Sequence, residues 1–139
     1  MADKPAHCLM VVDDDPDLRA TFALLFGREY RVLAAAGGLE ALALLETENP
    51  ELIVLDLMMP GMNGLETLKA LKAVRPETIV IMLTSERDLE AARSALSLGA
   101  SQFVTKPFDI DDLRGEIRRL LDESAGGSDP SGRPWKIAP

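Results

Sequence analysis

Leu52-Ile53-Val54-Leu55-Asp56-Leu57-Met58-Met59-Pro60-Gly61-Met62-Asn63-Gly64 is the stretch whose reading decides the fold. Four apolar residues run into one aspartate, and a loop rich in proline, glycine and asparagine follows at once. An apolar run this short, bounded by breakers, reads as a strand buried on both faces. Asp56 then stands at the carboxyl end of a central strand, where open α/β sheets bind their ligands. A turn or helix-capping aspartate is the competing reading of the same residue.

The pattern recurs outward from there. Leu9 to Val12 is a second apolar run, and it ends in Asp13-Asp14-Asp15-Pro16. Asp15 suits the cap of a helix that begins at Pro16. Leu18, Phe22 and Leu25 form that helix's apolar stripe, and Gly27 its end. Tyr30 to Ala34 is a mixed strand. Gly37-Gly38 opens a second helix through Leu39, Leu42 and Leu45, which stops before Asn49-Pro50. Beyond the Asp56 loop, Leu65, Leu68 and Leu71 mark a third helix ending near Arg75-Pro76. Thr78 to Leu83 is a third wholly apolar strand and runs into Thr84-Ser85. Leu89, Ala92 and Leu96 make a fourth helix closed by Gly99. Gln102 to Thr105 is a half-polar strand ending at Lys106-Pro107. Asp109 caps a last helix, in which Ile110, Leu113, Ile117 and Leu120 repeat at helical spacing.

Strands alternating with helices imply an α/β fold with a parallel sheet and right-handed crossovers. The three wholly apolar strands belong inside the sheet and the two mixed ones at its edges, which order 2-1-3-4-5 satisfies. In that order the chain reverses between Asp13-Asp14 and Asp56, which makes this the switch point.

The 139 residues, 47% of them apolar, suffice for one domain with its own core. The division expected is a disordered lead over 1–7, the domain over 8–123, and a flexible tail or linker over 124–139. Cys8 is the single cysteine and makes no internal bridge. With no secretory leader and no apolar run near the ~20 residues of a membrane span, the expected location is cytoplasmic. A formal charge of −8 argues against a nucleic-acid surface and favours cations and basic partners.

The residues that end the strands carry the chemistry: Asp13, Asp14, Asp56, Thr84 and Lys106. A parallel sheet brings them to one rim. Crowded carboxylates raise one another's pKa or recruit a cation. An all-oxygen site that keeps its waters suits Mg²⁺. Lys106 supplies a point charge and Thr84 a hydroxyl for an anion. The set fits phosphoryl chemistry on the central carboxylate, Asp56 acting as nucleophile.

Val11-Val12-Asp13-Asp14, Asp56-x-x-Met59-Pro60-Gly61-Met62-x-Gly64, Thr84-Ser85 and Lys106-Pro107-Phe108 together resemble the receiver domain of bacterial two-component response regulators, chemotaxis regulators included. The resemblance covers about Leu9 to Glu123. It implies a flavodoxin-like (βα)5 three-layer sandwich around a parallel five-stranded sheet. It also implies that Asp56 takes a phosphoryl group from a phosphohistidine on a sensor histidine kinase or histidine phosphotransfer protein. Asp13, Asp14, Asp56 and the Met58 backbone carbonyl would hold Mg²⁺, or Mn²⁺ in its place, and Lys106 and Thr84 would grip the phosphoryl oxygens. Thr84 and Phe103 would switch the surface of the fourth helix, fifth strand and fifth helix, which serves an unidentified output partner or a homodimer. Phe103 stands where the family often has Tyr. Met58 and Glu86 match the positions that tune the lifetime of the phosphorylated state. The Asp17 to Ala23 side of the first helix and the Pro107-Phe108 loop would dock the kinase. Such a domain turns over only its own phosphoryl group and acts on no metabolite.

Three other readings compete. An aspartate-nucleophile phosphatase of similar fold usually places a second acid two residues after its nucleophile, where this chain has Met58. A flavin binder is opposed by the anionic pocket. A degenerate receiver signalling without phosphate is opposed by the complete set of acceptor, acids and lysine.

Overall fold

Residues 7–59, 63–85 and 88–126 are described in the computed structural model. They divide into two compact units, one reaching Lys106 and the other starting at Pro107. The first unit alternates β1 (Cys8–Val12), α1 (Pro16–Phe26), β2 (Arg31–Ala35), α2 (Gly38–Leu44), β3 (Leu52–Asp56), α3 (Gly64–Val74), β4 (Ile79–Thr84), α4 (Leu89–Ser97) and β5 (Gln102–Thr105). All pairings are parallel, in the order β2-β1-β3-β4-β5. The expected order and the expected edges therefore hold.

Three strand starts move by one residue, β1 earlier to Cys8 and two others later. The Tyr30 N–H closes the turn after α1 by donating to the Phe26 carbonyl (3.0 Å), so β2 begins at Arg31. The Thr78 N–H donates to the Arg75 carbonyl (3.1 Å), so β4 begins at Ile79. His7 does not belong to a lead: its carbonyl accepts from the Arg31 N–H at 2.9 Å, ahead of the β1–β2 ladder.

Alternation along the strands divides the core. Met10, Val12, Ile53, Leu55, Val80 and Met82 point to one face and join Leu68 and Leu71 of α3 and Ala95 of α4 in one buried cluster. Their neighbours Leu9, Val11, Leu52, Val54, Ile81 and Leu83, fully buried too, point to the other face. The neighbouring rings of Phe22 and Phe26 of α1 (centroids 4.5 Å apart, tilted by 32°) are buried outside that cluster. Helix starts follow local chemistry. Asp15 accepts from the Asp17 N–H (2.9 Å) and Pro16 opens α1, as expected. Asn63 and Glu66 form a capping box at the start of α3, each side chain accepting the other's N–H (2.9 and 3.1 Å). Gly99, at φ 111°, ends α4 in the left-handed region.

The second unit contains α5 (Ile110–Gly126). The Asp109 carboxylate caps it, accepting from the N–H groups of Asp111 (2.8 Å) and Asp112 (3.1 Å). Leu113, Ile117 and Leu121 are its buried positions, a step of four that replaces the expected Leu120. The helix passes the expected limit at Glu123 by three residues, because Ser124 and Ala125 tolerate helix and the first glycine stands at 126.

Candidate functional site

Register alone places the charged residues together. In a parallel ladder, paired residues share a face. Val12 pairs with Leu55, so Asp13 lies beside Asp56, one step further on. Asp56 pairs with Leu83, Leu83 pairs with Val104, and Lys106 stands two residues beyond Val104. Asp13, Asp56 and Lys106 therefore point to the same side of the rim.

The side chains confirm the convergence. Lys106 Nζ lies 3.3 Å from Asp13 Oδ2 and 3.3 Å from Asp56 Oδ1. Asp13 and Asp56 are buried, at 1% and 5% exposure, while Asp14 is exposed. Oxygens of Asp13, Asp14 and Asp56 all lie within 4.8 Å of one another. Asp56 Oδ1 also accepts the Met58 N–H at 3.3 Å. The Lys106 N–H, bonded to the Thr84 carbonyl, anchors the lysine to the end of β4.

Burial, and then the charge of Asp13, push the Asp56 carboxyl above its ordinary value, with Lys106 pulling against them. Burial lowers the Lys106 ammonium, but the Asp56 and Asp13 carboxylates outweigh it and hold it above its ordinary value. Among the described residues the pocket is short of positive charge: three acids cluster, and Lys106 reaches two of them, Asp13 and Asp56.

Thr84 and Phe103 belong to the opposite face of the ladder. Phe103 pairs with Met82 and Thr105 with Thr84, so Thr84 and Phe103 share a side two residues apart along the ladder. The buried Thr84 hydroxyl donates to the Ser85 carbonyl at 3.3 Å, and Phe103 packs half-buried against the core. The Met58 side chain is 60% exposed. Glu86 and the loop residues Pro60, Gly61 and Met62 lie outside the described residues.

The roles of two residues were not read from the sequence. A Cβ on Gly64 would stand 2.5 Å from Leu57 Cα and 2.7 Å from the Asp56 carbonyl oxygen. Only glycine lets α3 start this close to the end of β3, where the Gly64 N–H donates to the Leu57 carbonyl at 2.9 Å. Arg19 Nη1 donates to the Asp13 carbonyl at 2.7 Å. Its signal in the sequence was a cation in the first turn of a helix, where the helix dipole favours acids.

The family model of the response regulator receiver domain matches residues 9–118. Sporulation initiation phosphotransferase F of Bacillus subtilis is 36% identical over 114 residues, 81% of this chain and 92% of that protein. Transcriptional regulatory protein GlrR of Escherichia coli is 37% identical over 130 residues, 93% of this chain but only 29% of that longer protein. Chemotaxis protein CheY4 of Vibrio cholerae superposes with a TM-score of 0.76 at 31% identity, over 83% of this chain and 98% of that one. NtrX of Brucella abortus superposes at 0.81 and 33% identity, over 86% of this chain and 28% of that one. Among the described residues, no helix is long and apolar enough to cross a membrane. A flavodoxin-like sheet with an acidic pocket at its switch point, matched by a family model from residue 9 to residue 118, leaves one assignment: the chain belongs to the receiver domains of two-component response regulators.

Proposed function

We propose that Asp56 is the phosphoryl acceptor and Lys106 its electrostatic partner. The observation that supports this most directly is Lys106 Nζ standing 3.3 Å from both Asp13 and Asp56 in a buried pocket. An Asp56 oxygen bonds to phosphorus as the P–N bond of a donor phosphohistidine breaks, and the electron pair leaves with the imidazole nitrogen. The product is an acyl phosphate. Asp56 attacks as the carboxylate, yet burial and Asp13 disfavour that form, so Lys106 is needed before any phosphate arrives. Positioning and charge neutralisation supply most of the catalysis in such transfers.

The donor set fits a divalent cation. Asp13, Asp14 and Asp56 offer hard oxygens within 4.8 Å of one another, one of the acids open to solvent, as Mg²⁺ prefers. These residues, with the Met58 carbonyl, would hold Mg²⁺ or Mn²⁺. When bound, the cation neutralises charge on the phosphoryl oxygens.

The switch runs through Thr84. Its hydroxyl now donates to a neutral carbonyl, and anionic phosphoryl oxygens are stronger acceptors. Phe103, on the same face and half-buried, turns into the space that Thr84 leaves. The changed surface on α4 and β5 then meets an output partner or a second copy of the domain. Met58, anchored to Asp56 by its amide and exposed at its side chain, hinders the water that hydrolyses the acyl phosphate. The donor is a sensor histidine kinase or histidine phosphotransfer protein of the cytoplasm, and the domain turns over only its own phosphoryl group.

Intact-protein mass spectrometry after treatment with acetyl phosphate and Mg²⁺ tests the acceptor. The wild type gains the mass of one phosphoryl group and Asp56→Asn gains none. An equal gain in the variant would refute the assignment.

A further inference from the structure

We propose that Arg19 is a positioning residue for the acidic half of the site: pinned to the Asp13 carbonyl, it fixes the peptide plane that carries Asp14. The inference rests on the reading of Asp13 and Asp14 as metal ligands.

Asp13 is held at every polar group. Its N–H donates to the Ala35 carbonyl (3.1 Å), Oδ1 accepts the Asp15 N–H (2.9 Å), and Oδ2 lies 3.3 Å from Lys106 Nζ. Its carbonyl is the remaining group, and Arg19 Nη1 reaches it at 2.7 Å. That carbonyl and the Asp14 N–H belong to one planar unit, which also contains the Asp14 Cα. Holding the oxygen therefore sets the direction in which Asp14 leaves β1. Asp14 is the exposed member of the acidic cluster and has no comparable set of partners among the described residues, so its backbone aims it.

The placement of Arg19 is otherwise unfavourable. It is the fourth residue of α1, within the turn where the helix dipole repels cations. It also brings a second positive charge to a site meant for a metal ion. Its guanidinium ends on a neutral backbone oxygen. A charge-assisted bond to that oxygen offsets the placement. Mere electrostatics predicts that removing Arg19 tightens cation binding. Pinning predicts the opposite.

Isothermal titration of the intact chain with MgCl₂ separates the two, with thermal melts in EDTA alongside. Arg19→Gln keeps the helix propensity and most of the stem, but its amide stops two bonds short of Nη1 and carries no charge. The expected result is a Mg²⁺ Kd raised about tenfold, the scale on which groups orienting metal ligands act. The metal-free melting temperature should stay close to wild type. Arg19→Lys keeps the charge and ends one bond short; its Kd should rise as well, where a pure charge effect would leave it unchanged. A Kd equal to or below wild type in both variants overturns the proposal. Asp14→Asn is the control for the underlying reading. If it binds Mg²⁺ as tightly as wild type, the metal site itself is wrong; if it loses binding while the Arg19 variants do not, only the pinning is wrong.

Discussion

The two rims of the sheet handle charge in opposite ways. At the amino-terminal rim, charged groups from several elements meet partners in the fold. His7 Nδ1 lies 2.6 Å from Glu51 Oε2, Arg31 Nη1 lies 2.6 Å from Glu48 Oε1, and Lys72 Nζ donates to the carbonyls of Pro76 and Thr78. Arg75 reaches the Leu45 carbonyl (2.6 Å) and the Asn49 side chain, tying the end of α3 to the segment after α2. At the carboxyl-terminal rim, three acids cluster and, among the described residues, Lys106 forms ion pairs with two of them, Asp13 and Asp56. One end spends its charges on holding the fold together. The other keeps an electrostatic deficit that a cation and a phosphoryl group can relieve.

The contrast breaks most sharply at Lys106. Lys106→Ala removes a cation that faces Asp56 and favours its charged form. Its phosphorylation rate with acetyl phosphate should fall about 100-fold, the low end for losing a preorganised group at a reacting anion. Stopped-flow or timed mass spectrometry measures it, and a rate within a few-fold of wild type would remove Lys106 from the chemistry. Gly64→Ala comes next, acting through shape. A methyl group 2.5 Å from Leu57 Cα forces backbone to move and should cost about 2–3 kcal/mol in urea unfolding. It should also slow phosphorylation, because the displaced backbone includes the Asp56 carbonyl.

The opposite rim should show the reverse profile. Arg75→Gln loses the bonds to the Leu45 carbonyl and Asn49 and should cost about 1–2 kcal/mol of stability. Phosphorylation of the folded fraction should be unchanged. A comparable loss of phosphorylation would mean that the two rims are coupled and that the division drawn here is false.

What the sequence revealed follows the same division. Asp13, Asp14, Asp56 and Lys106 were legible because each stands at the carboxyl end of a strand, and a parallel sheet leaves strand ends only one rim to share. The amino-terminal pairs were not legible. His7 and Glu51 are 44 residues apart, and nothing local says that they meet until the β1–β3 register is known. Gly64 was visible as a loop glycine, but its necessity depends on how tightly the loop returns to Leu57. The Asn63-x-x-Glu66 capping box was readable and went unread. Arg19 shows the general limit: side chain to backbone contacts leave no complementary residue in the sequence to betray them.

The smallest effect, and the one that tests the deficit itself, is thermodynamic. Asp56 has a carboxyl pushed up in the folded state by burial and by Asp13, so the folded protein holds that proton longer than the unfolded chain does. Between the ordinary carboxylate value and the raised one, the native state binds more protons, and stability must fall as pH rises. Below that window the penalty is absent. Above it, the penalty is complete. Asn at this position cannot ionise, so metal-free Asp56→Asn should match or exceed wild type at pH 7, by about 1 kcal/mol, a few degrees in melting temperature. The advantage should shrink as pH falls through the window, and Mg²⁺ should narrow it at pH 7 by stabilising wild type alone. Glu51→Gln, at the satisfied rim, changes an acid already bonded to the His7 ring and the Cys8 N–H and should show no such gain. If Asp56→Asn proved less stable at neutral pH, with a gap that did not change in acid, the carboxylate would be a structural anchor. The pocket would then hold no unrelieved charge for a phosphoryl group to exploit.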